Sequence, residues 1–393
     1  MIYKVLVGNE HGGAAASSKA IIDGFEKNTN FKIVFLCNSS FAKLFVNTQK
    51  KINLNSFSPP ILTANNKFNR FRNSIKFLFW CLYTSLLFFI FTKKKHVKTI
   101  HTTNNHALLV CLINKLINKL INKRIYIISH WRCMGLASAK KYHFLLKHID
   151  EVICISSAVK NSLPEYLQNK SKIIYNGVDV SEIFKENVKN KSKLKSLLKI
   201  DNDIPLIGTV GSFTPIKSHE LIIDSIIEGN HRENIKVILI GSCPNKESRS
   251  YLKFLKEKVK ENHLENCVYF LNDKYIFPPK FYLSDLDMFI GATWNDGHGE
   301  GFGLMYIEAM SAKVPVVAIN VGAASEIICD KMSGYLIKTN SPKELSDSIY
   351  YILNNSQSSE IIENAFSIAK NNFDINYTIG KLRKIYEKHS TDF

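Results

Sequence analysis

Glu300-Gly301-Phe302-Gly303-Leu304-Met305-Tyr306-Ile307-Glu308 places two carboxylates eight positions apart around a Gly-Phe-Gly turn. Glycines 301 and 303 let the backbone come close to a ligand, and the residues after them read as the start of a helix. The unpaired amides of a first helical turn carry a positive dipole end, which suits a phosphate. Glu308 then falls one turn into the helix, on the face of Leu304, where its carboxylate can accept from two hydroxyls such as those of a ribose. Glu300, in the preceding loop, can accept from sugar hydroxyls. A helix entry with an acid at its start would explain the same residues, and two glutamates at this spacing are common by chance.

Outward from this stretch the chain alternates strands and helices. Strands read at 205–210, 236–240, 268–271, 288–290 and 314–319, with helices at 220–227, 250–261 and 303–311. Ser341-Pro342-Lys343-Glu344 is a capping box with proline at the first helical position, so a further helix starts there. The first half repeats the pattern, with strands at 2–7, 32–36, 99–101, 124–128 and 151–155 and a helix at 14–25. A threefold Leu-Ile-Asn-Lys repeat over 112–123 puts Leu112, Leu116 and Leu120 on one helical stripe, with the asparagines and lysines facing elsewhere. Such alternation means an α/β chain with two Rossmann-like, doubly wound parallel sheets facing across a cleft, ligands lying at the carboxyl ends of the strands. The expected division is an N-terminal acceptor-facing or membrane-facing domain at 1–170, a nucleotide-binding domain at 171–365, and a helical segment at 366–393 crossing back to the first. The boundary is set before 172–175, read as a strand of the second domain.

The 393 residues are 45% apolar and 22% charged, which is ample for packed cores and excludes disorder as the main state. No two of the eight cysteines have C-x-x-C spacing, so neither a zinc ribbon nor a dithiol site is expected, and scattered thiols read as cytosolic core residues. Residues 1–200 carry 32 basic and 9 acidic side chains, against 20 and 25 in the remainder. The first half should therefore meet something anionic: a membrane, a nucleic acid or a phosphorylated substrate. A merely solvated lysine-rich surface is the plainer explanation. The N-terminus lacks the pattern of a signal peptide. Residues 77–91, FLFWCLYTSLLFFIF, contain no charge but are short for a span and basic on both sides. They read as a core helix or as a monotopic one with its aromatic side in the lipid interface, and the favoured reading combines the two, one face in the core and one at the membrane.

Further motifs occur in order along the chain. Downstream are Ala309-Met310, Pro315-Val316-Val317-Ala318, Gly322, Glu326 and Gly334-Tyr335-Leu336-Ile337. Upstream are Tyr175-Asn176-Gly177-Val178-Asp179 with Phe184, Gly211 with Lys217, and Gly12-Gly13-Ala14. Together these resemble the family-4 glycosyltransferases, the group 1 glycosyl transferases, which are retaining enzymes of the GT-B fold. The likeness covers nearly the whole chain, densely over 172–337 and more loosely in the first half.

The resemblance implies a role for each matching residue. Glu308 would hold the nucleotide ribose. Glu300 would stand beside the transferred sugar, with the amides of Phe302, Gly303 and Leu304 near its hydroxyls and the diphosphate. Lys217 would neutralise the diphosphate. Gly12 and Gly13 would bring first-domain amides to it, and His130 would lie near sugar and acceptor. Ser212 occupies a place where many members have an arginine, so the phosphate clamp would be weaker or draw on another cation. The family's chemistry needs no cofactor, no metal and no protein nucleophile. The resemblance thus implies a retaining transferase using a nucleotide sugar, UDP by preference, and a lipid-linked glycan acceptor in surface polysaccharide assembly. It would sit in the cytoplasm, peripheral on the anionic inner face of the membrane. The alternatives are a transferase with a soluble acceptor and a non-catalytic paralogue acting as an assembly partner.

Other signals are weaker. His130, after a strand, reads equally as a polar core residue. Asp285 and Asp287 form a D-x-D that could bind a metal in another transferase fold, but their place before an apolar strand favours capping or a turn. The loop 294–298, WNDGH, could shape a sugar pocket or be a long turn. No stretch interleaves aromatic with basic residues as a nucleic-acid-binding sheet would.

Overall fold

The computed structural model describes residues 2–5, 13–28, 33–37, 51–53, 67–95, 98–103, 105–134, 143–231, 233–272, 279–294, 300–354 and 358–391. Its helices of eight residues or more are α1 (Gly13–Asn28), α2 (Lys67–Lys95), α3 (Asn105–Leu120), α4 (Val180–Asn190), α5 (His219–Glu228), α6 (Lys246–Glu261), α7 (Leu304–Ser311), α8 (Pro342–Asn354), α9 (Ser358–Asn372) and α10 (Ile375–Thr391). The chain forms two compact units, Met1–Tyr175 with Thr378–Phe393, and Asn176–Tyr377.

The first unit is built on β1 (Ile2–Val5), β2 (Ile33–Cys37), β3 (Lys51–Asn53), β4 (Thr99–Thr102), β5 (Tyr126–Trp131), β6 (Glu151–Cys154) and β7 (Ser171–Ile173). Every pairing is parallel, in the order β3-β2-β1-β4-β5-β6-β7. The second unit holds β8 (Leu206–Val210), β9 (Lys236–Gly241), β10 (Val268–Asn272), β11 (Met288–Gly291), β12 (Val316–Ile319) and β13 (Tyr335–Ile337), again parallel, in the order β10-β9-β8-β11-β12-β13. A parallel sheet covered on both faces needs unbroken apolar strands. KVILIG in β9 and VVAI in β12 supply them, buried throughout but for Lys236. Ile207, Val237, Leu239 and Met288 pack with Leu221, Ile222, Leu255, Leu345 and Ile349 of α5, α6 and α8. Each sheet reverses direction once, between β1 and β4 and between β8 and β11. The crevice outside the carboxyl ends at such a point is where open α/β sheets take their ligands.

Four sequence expectations need correction. The stretch 172–175 does not open the second domain: Ser171–Ile173 pairs with β6 as the last strand of the first sheet, so the chain passes between units at Tyr175/Asn176. It returns at Tyr377/Thr378, not at 366. Thr378 Oγ1 then donates to the Tyr175 carbonyl at 2.9 Å, and Lys388 Nζ donates to Glu151 Oε1 at 2.9 Å.

On α3 burial does not follow the leucine stripe: Leu112 is buried, Leu116 half-buried and Leu120 exposed, and asparagines share the buried face. Asn114 and Asn118 are fully buried while Leu120 is 85% exposed. Asn114 Nδ2 donates to the Ser85 carbonyl and Ser85 Oγ to the Val110 carbonyl, each at 3.4 Å. Asn118 Nδ2 donates to the Asn114 carbonyl at 2.9 Å. Satisfied amides can occupy a helix–helix seam that periodicity alone assigns to leucine.

The apolar helix is also longer than its charge-free run: Phe71–Ile90, with mean hydropathy 1.4, is long and apolar enough to cross a bilayer by length and composition. Its two faces differ. Phe77, Cys81, Thr84, Ser85 and Phe88 are buried, whereas Phe79, Leu82, Tyr83, Leu86 and Ile90 are more than half exposed.

Lastly, Cys81, Cys111, Cys154, Cys243 and Cys267 are buried, but Cys133 and Cys329 are exposed and so are not core residues.

Candidate functional site

The second sheet's reversal point gathers the residues picked from the sequence. After β8 the chain passes Gly211 and Ser212 and makes a single 3-10 turn, Pro215–Lys217. The Gly211 carbonyl stands where any β-carbon on Gly241 would be, 2.0 Å from it, so glycine is required in β9 for this loop to lie down. The Trp294 amide donates to the Ile216 carbonyl at 3.0 Å and pins the turn to the chain leaving β11. Lys217 Nζ thereby reaches Glu300 Oε2 at 2.5 Å, and Thr293 Oγ1 lies 3.4 Å from each of these atoms. Both charged side chains remain partly exposed, at 32% and 21%.

The loop carrying Glu300 is braced from behind. Its carbonyl accepts from the Ala323 amide at 3.0 Å. Gly322, at φ +60°, leaves room for that carbonyl, which would stand 2.1 Å from a β-carbon there. Gly303, at φ +92°, begins α7, with no side-chain cap among the described residues. Leu304 and Glu308 lie on the half-exposed side of α7, with Tyr306 and Ile307 buried. The Tyr306 ring fills a slot made by two glycines, since β-carbons on Gly291 or Gly303 would meet it at 2.2 and 2.5 Å. Its side chain hydrogen-bonds with Thr293. Burial, and then the Glu300 charge, raise its pKa, so the phenol stays protonated. The Phe302 side chain is core, edge-on to Phe373 at 6.0 Å. Ser212 is half-buried and brings no charge to the loop.

In the first unit Gly13 is the first residue of α1 and Gly12 lies outside the described residues. His130 is the penultimate residue of β5, buried, with Nδ1 3.2 Å from Nε2 of His101 in β4. Arg132 Nη1 donates to the Ala14 carbonyl at 2.6 Å, tying the end of β5 to the start of α1. Sequence reasoning passed over His101, Arg132, Thr293 and Tyr306. No residue type or spacing marks these four in the sequence.

The D-x-D is structural, as its place in the sequence favours. Asp285 accepts from the amides of Ser192, Leu194 and Lys195, the last at 2.9 Å, and so caps the helical turn Lys193–Leu198. Asp287 Oδ2 accepts from the Leu206 amide at 2.8 Å and from Lys195 Nζ at 3.1 Å. Of the polar loop only Trp294 is described; 295–299 lie outside. A separate open groove of about 740 Å³, lined by Lys331, Tyr335, Lys343, Glu344 and Tyr351 among others, contains none of these candidates.

Known proteins resemble the chain in sequence and in fold. Residues 190–367 match the family of group 1 glycosyl transferases, so the group 1 part of the resemblance is borne out over the segment that holds Lys217, Glu300 and Glu308. The chain is 28% identical over 252 residues to an uncharacterized glycosyltransferase of Methanocaldococcus jannaschii, covering 63% of this chain and 62% of that protein. It is 26% identical over 283 residues to the capsular polysaccharide biosynthesis glycosyltransferase CapM of Staphylococcus aureus, covering 67% and 70%. The chain thus spans about three-fifths of the M. jannaschii relative's length. Among solved structures, a glycosyltransferase from Rickettsia africae superposes with TM-score 0.81 at 20% identity over 100% of this chain and 99% of that one. Anabaena HepE, solved with UDP and glucose, superposes with TM-score 0.77 at 18% identity, covering 98% and 99%. The fold is that of the GT-B glycosyltransferases.

Proposed function

We propose that this chain is a retaining, metal-independent family-4 glycosyltransferase that moves a sugar from a nucleotide diphosphate to an acceptor hydroxyl. The observation that carries the reading is the Lys217–Glu300 pair, set at the reversal point of a parallel sheet beside the uncapped start of α7. As the bond between the anomeric carbon and the diphosphate oxygen breaks, negative charge grows on the phosphates. Lys217 and the first amides of α7 are preorganised donors for that charge. Glu308 holds the ribose and Glu300 the sugar hydroxyls, while Gly12, Gly13 and His130 contribute from the first unit. The acceptor oxygen attacks from the face the diphosphate leaves, and its proton passes to a phosphate oxygen. Glu300 and Glu308 therefore need not be a glycosidase-type acid and nucleophile. UDP is the nucleotide we favour, supported by HepE's having been solved with it. Donor hydrolysis by wild type and Glu308→Ala tests the reading: turnover lost in the variant supports it. No turnover with UDP-, GDP- or ADP-sugars, with nucleotide binding unchanged by the substitution, would instead favour the non-catalytic paralogue.

The acceptor we favour is a lipid-linked glycan in surface polysaccharide assembly, reached at the anionic inner face of the membrane. Relatives named for capsule and lipopolysaccharide core synthesis support the setting. Between Glu26 and Asp150 the chain has 21 lysines and arginines and no acid. The exposed face of α2 runs through this segment, with Arg72 and Lys76 exposed near one end and Lys93, Lys94 and Lys95 following in sequence at the other. Its opposite face packs against α3, which supports an interfacial helix over a spanning one. Lysines near an anionic leaflet each contribute about 1 kcal/mol. A soluble acceptor leaves that apolar face unexplained. Flotation with phosphatidylglycerol and phosphatidylcholine vesicles separates the two: salt-sensitive binding to the anionic vesicles alone supports the membrane setting, and binding to neither selects a soluble acceptor.

A further inference from the structure

Three buried side chains from three elements stand in line in the first unit. Tyr386 Oη, on α10, is 2.5 Å from Nδ1 of His101 in β4. His101 Nε2 is 3.2 Å from Nδ1 of His130 in β5. The imidazole planes are inclined by only 22°, with ring centroids 5.2 Å apart, so the two rings meet edge to edge. All three residues are buried to 2% exposure or less. Such a chain can run in two senses. Either the tyrosine donates, and each histidine in turn donates from Nε2, or every proton is reversed and His130 is left with a bare Nε2. In a neutral imidazole one nitrogen donates and the other accepts, so the first bond fixes all those after it.

We infer that Tyr386 and His101 are positioning residues that hold His130 in the tautomer protonated on Nε2, so that His130 offers the sugar or acceptor oxygen a hydrogen-bond donor and not a base. The inference rests on the proposed place of His130 beside the donor sugar.

The sense of the chain follows from the chemistry at its inner end. A phenol O–H is far more acidic than a neutral imidazole N–H, and an imidazole lone pair is far more basic than a phenol oxygen. The favoured bond is therefore O–H to nitrogen. Burial raises the Tyr386 pKa, against the lowering effect of Arg132, so the phenol keeps its proton to donate. His101 Nδ1 is then an acceptor and its proton sits on Nε2. That proton points to Nδ1 of His130, whose own proton is left on Nε2. A histidine fixed in this way cannot take the acceptor's proton, which agrees with a mechanism in which a phosphate oxygen receives it. The C-terminal helix gains a role as well, since α10 returns to the first unit and carries the hydroxyl that sets the tautomer.

The test is the two-bond proton–nitrogen spectrum of protein labelled at histidine nitrogens, with His101 and His130 assigned from His101→Gln and His130→Gln. The expected wild-type spectrum shows His130 protonated at Nε2 with Nδ1 bare. In Tyr386→Phe, which keeps the ring, the Nε2–H share of His130 falls, and kcat for UDP-glucose hydrolysis drops about threefold to tenfold with KM little changed, the size of one lost hydrogen bond. A wild-type His130 protonated at Nδ1 would overturn the inference. So would a folded Tyr386→Phe whose His130 signals match wild type. Should Tyr386→Phe fail to fold, the wild-type spectrum still decides. If His130→Gln hydrolyses UDP-glucose as wild type does, the placement of His130 at the sugar fails, while the tautomer result stands apart from it.

Discussion

Lys217 Nζ rests 2.5 Å from Glu300 Oε2, so the cation assigned to the diphosphate is held on the carboxylate assigned to the sugar. A diphosphate entering the site competes with Glu300 for Lys217, and Thr293, 3.4 Å from both, can keep the carboxylate placed when the lysine moves. Lys217→Ala should lower kcat/KM by about a hundredfold to a thousandfold, the range for a lost charge-stabilising donor. Glu300→Gln should do likewise. Their effects should be less than additive in the double variant, because each single change already disrupts the shared pair. Steady-state kinetics on the four proteins checks this, and simple additivity would argue that the residues act apart.

Gly322→Ala should reach the site through the backbone. Its φ of +60° and a carbonyl 2.1 Å from the new carbon force the Glu300 loop to shift. The expected loss is about 1–3 kcal/mol, as for strain at a left-handed position, together with a fall in turnover. Denaturant unfolding and donor hydrolysis measure both. Wild-type values for either would mean the loop is not braced there.

The two faces of α2 should respond in opposite ways. Phe88→Ala, at a fully buried site, should cost about 3–5 kcal/mol of stability. Leu82→Glu with Leu86→Glu, on the exposed face, should leave the melting temperature within a few degrees and abolish flotation with anionic vesicles. Flotation that survives the paired glutamates would remove this face from the membrane contact.

His219 sets a pH limit. It is 1% exposed, and among the described residues neither ring nitrogen has a hydrogen-bond partner. Burial, and then the Lys217 charge, depress its pKa from 6.5 to about 3. The unfolded chain takes up this proton first as pH falls, so the contribution is complete above pH 6.5 and is lost progressively down to about pH 3. At pH 4.5 the loss should be roughly 2–3 kcal/mol. His219→Leu should flatten that part of the stability curve measured by urea unfolding from pH 7 to 4.5. A variant as acid-sensitive as wild type would contradict this.

Most of the sheet was legible because buried parallel strands are unbroken apolar runs, as in KVILIG and VVAI. β3 is only three residues long and carries lysine, so it lacks that signal; the stretch of β7 reads as a strand, but nothing in three residues tells which sheet it joins, and giving it to the second sheet moved the domain boundary. The Asn114 and Asn118 seam was misassigned because periodicity weighs side-chain type and cannot see a carbonyl such as that of Ser85 waiting for an amide. At the site, glycines and charged groups were legible from spacing. Thr293, Tyr306, His101 and Tyr386 were not, because they are ordinary residues in sequence and matter only through what they touch.

Lys217 and the start of α7 should bind a nucleoside diphosphate. Calorimetric titration of wild type and Lys217→Ala with UDP, GDP and ADP tests it most directly. One of the three should bind wild type with a dissociation constant in the micromolar range, and bind the variant at least about tenfold more weakly, the loss of one charge-assisted contact. Binding of none of them, or equal binding to both proteins, would contradict it.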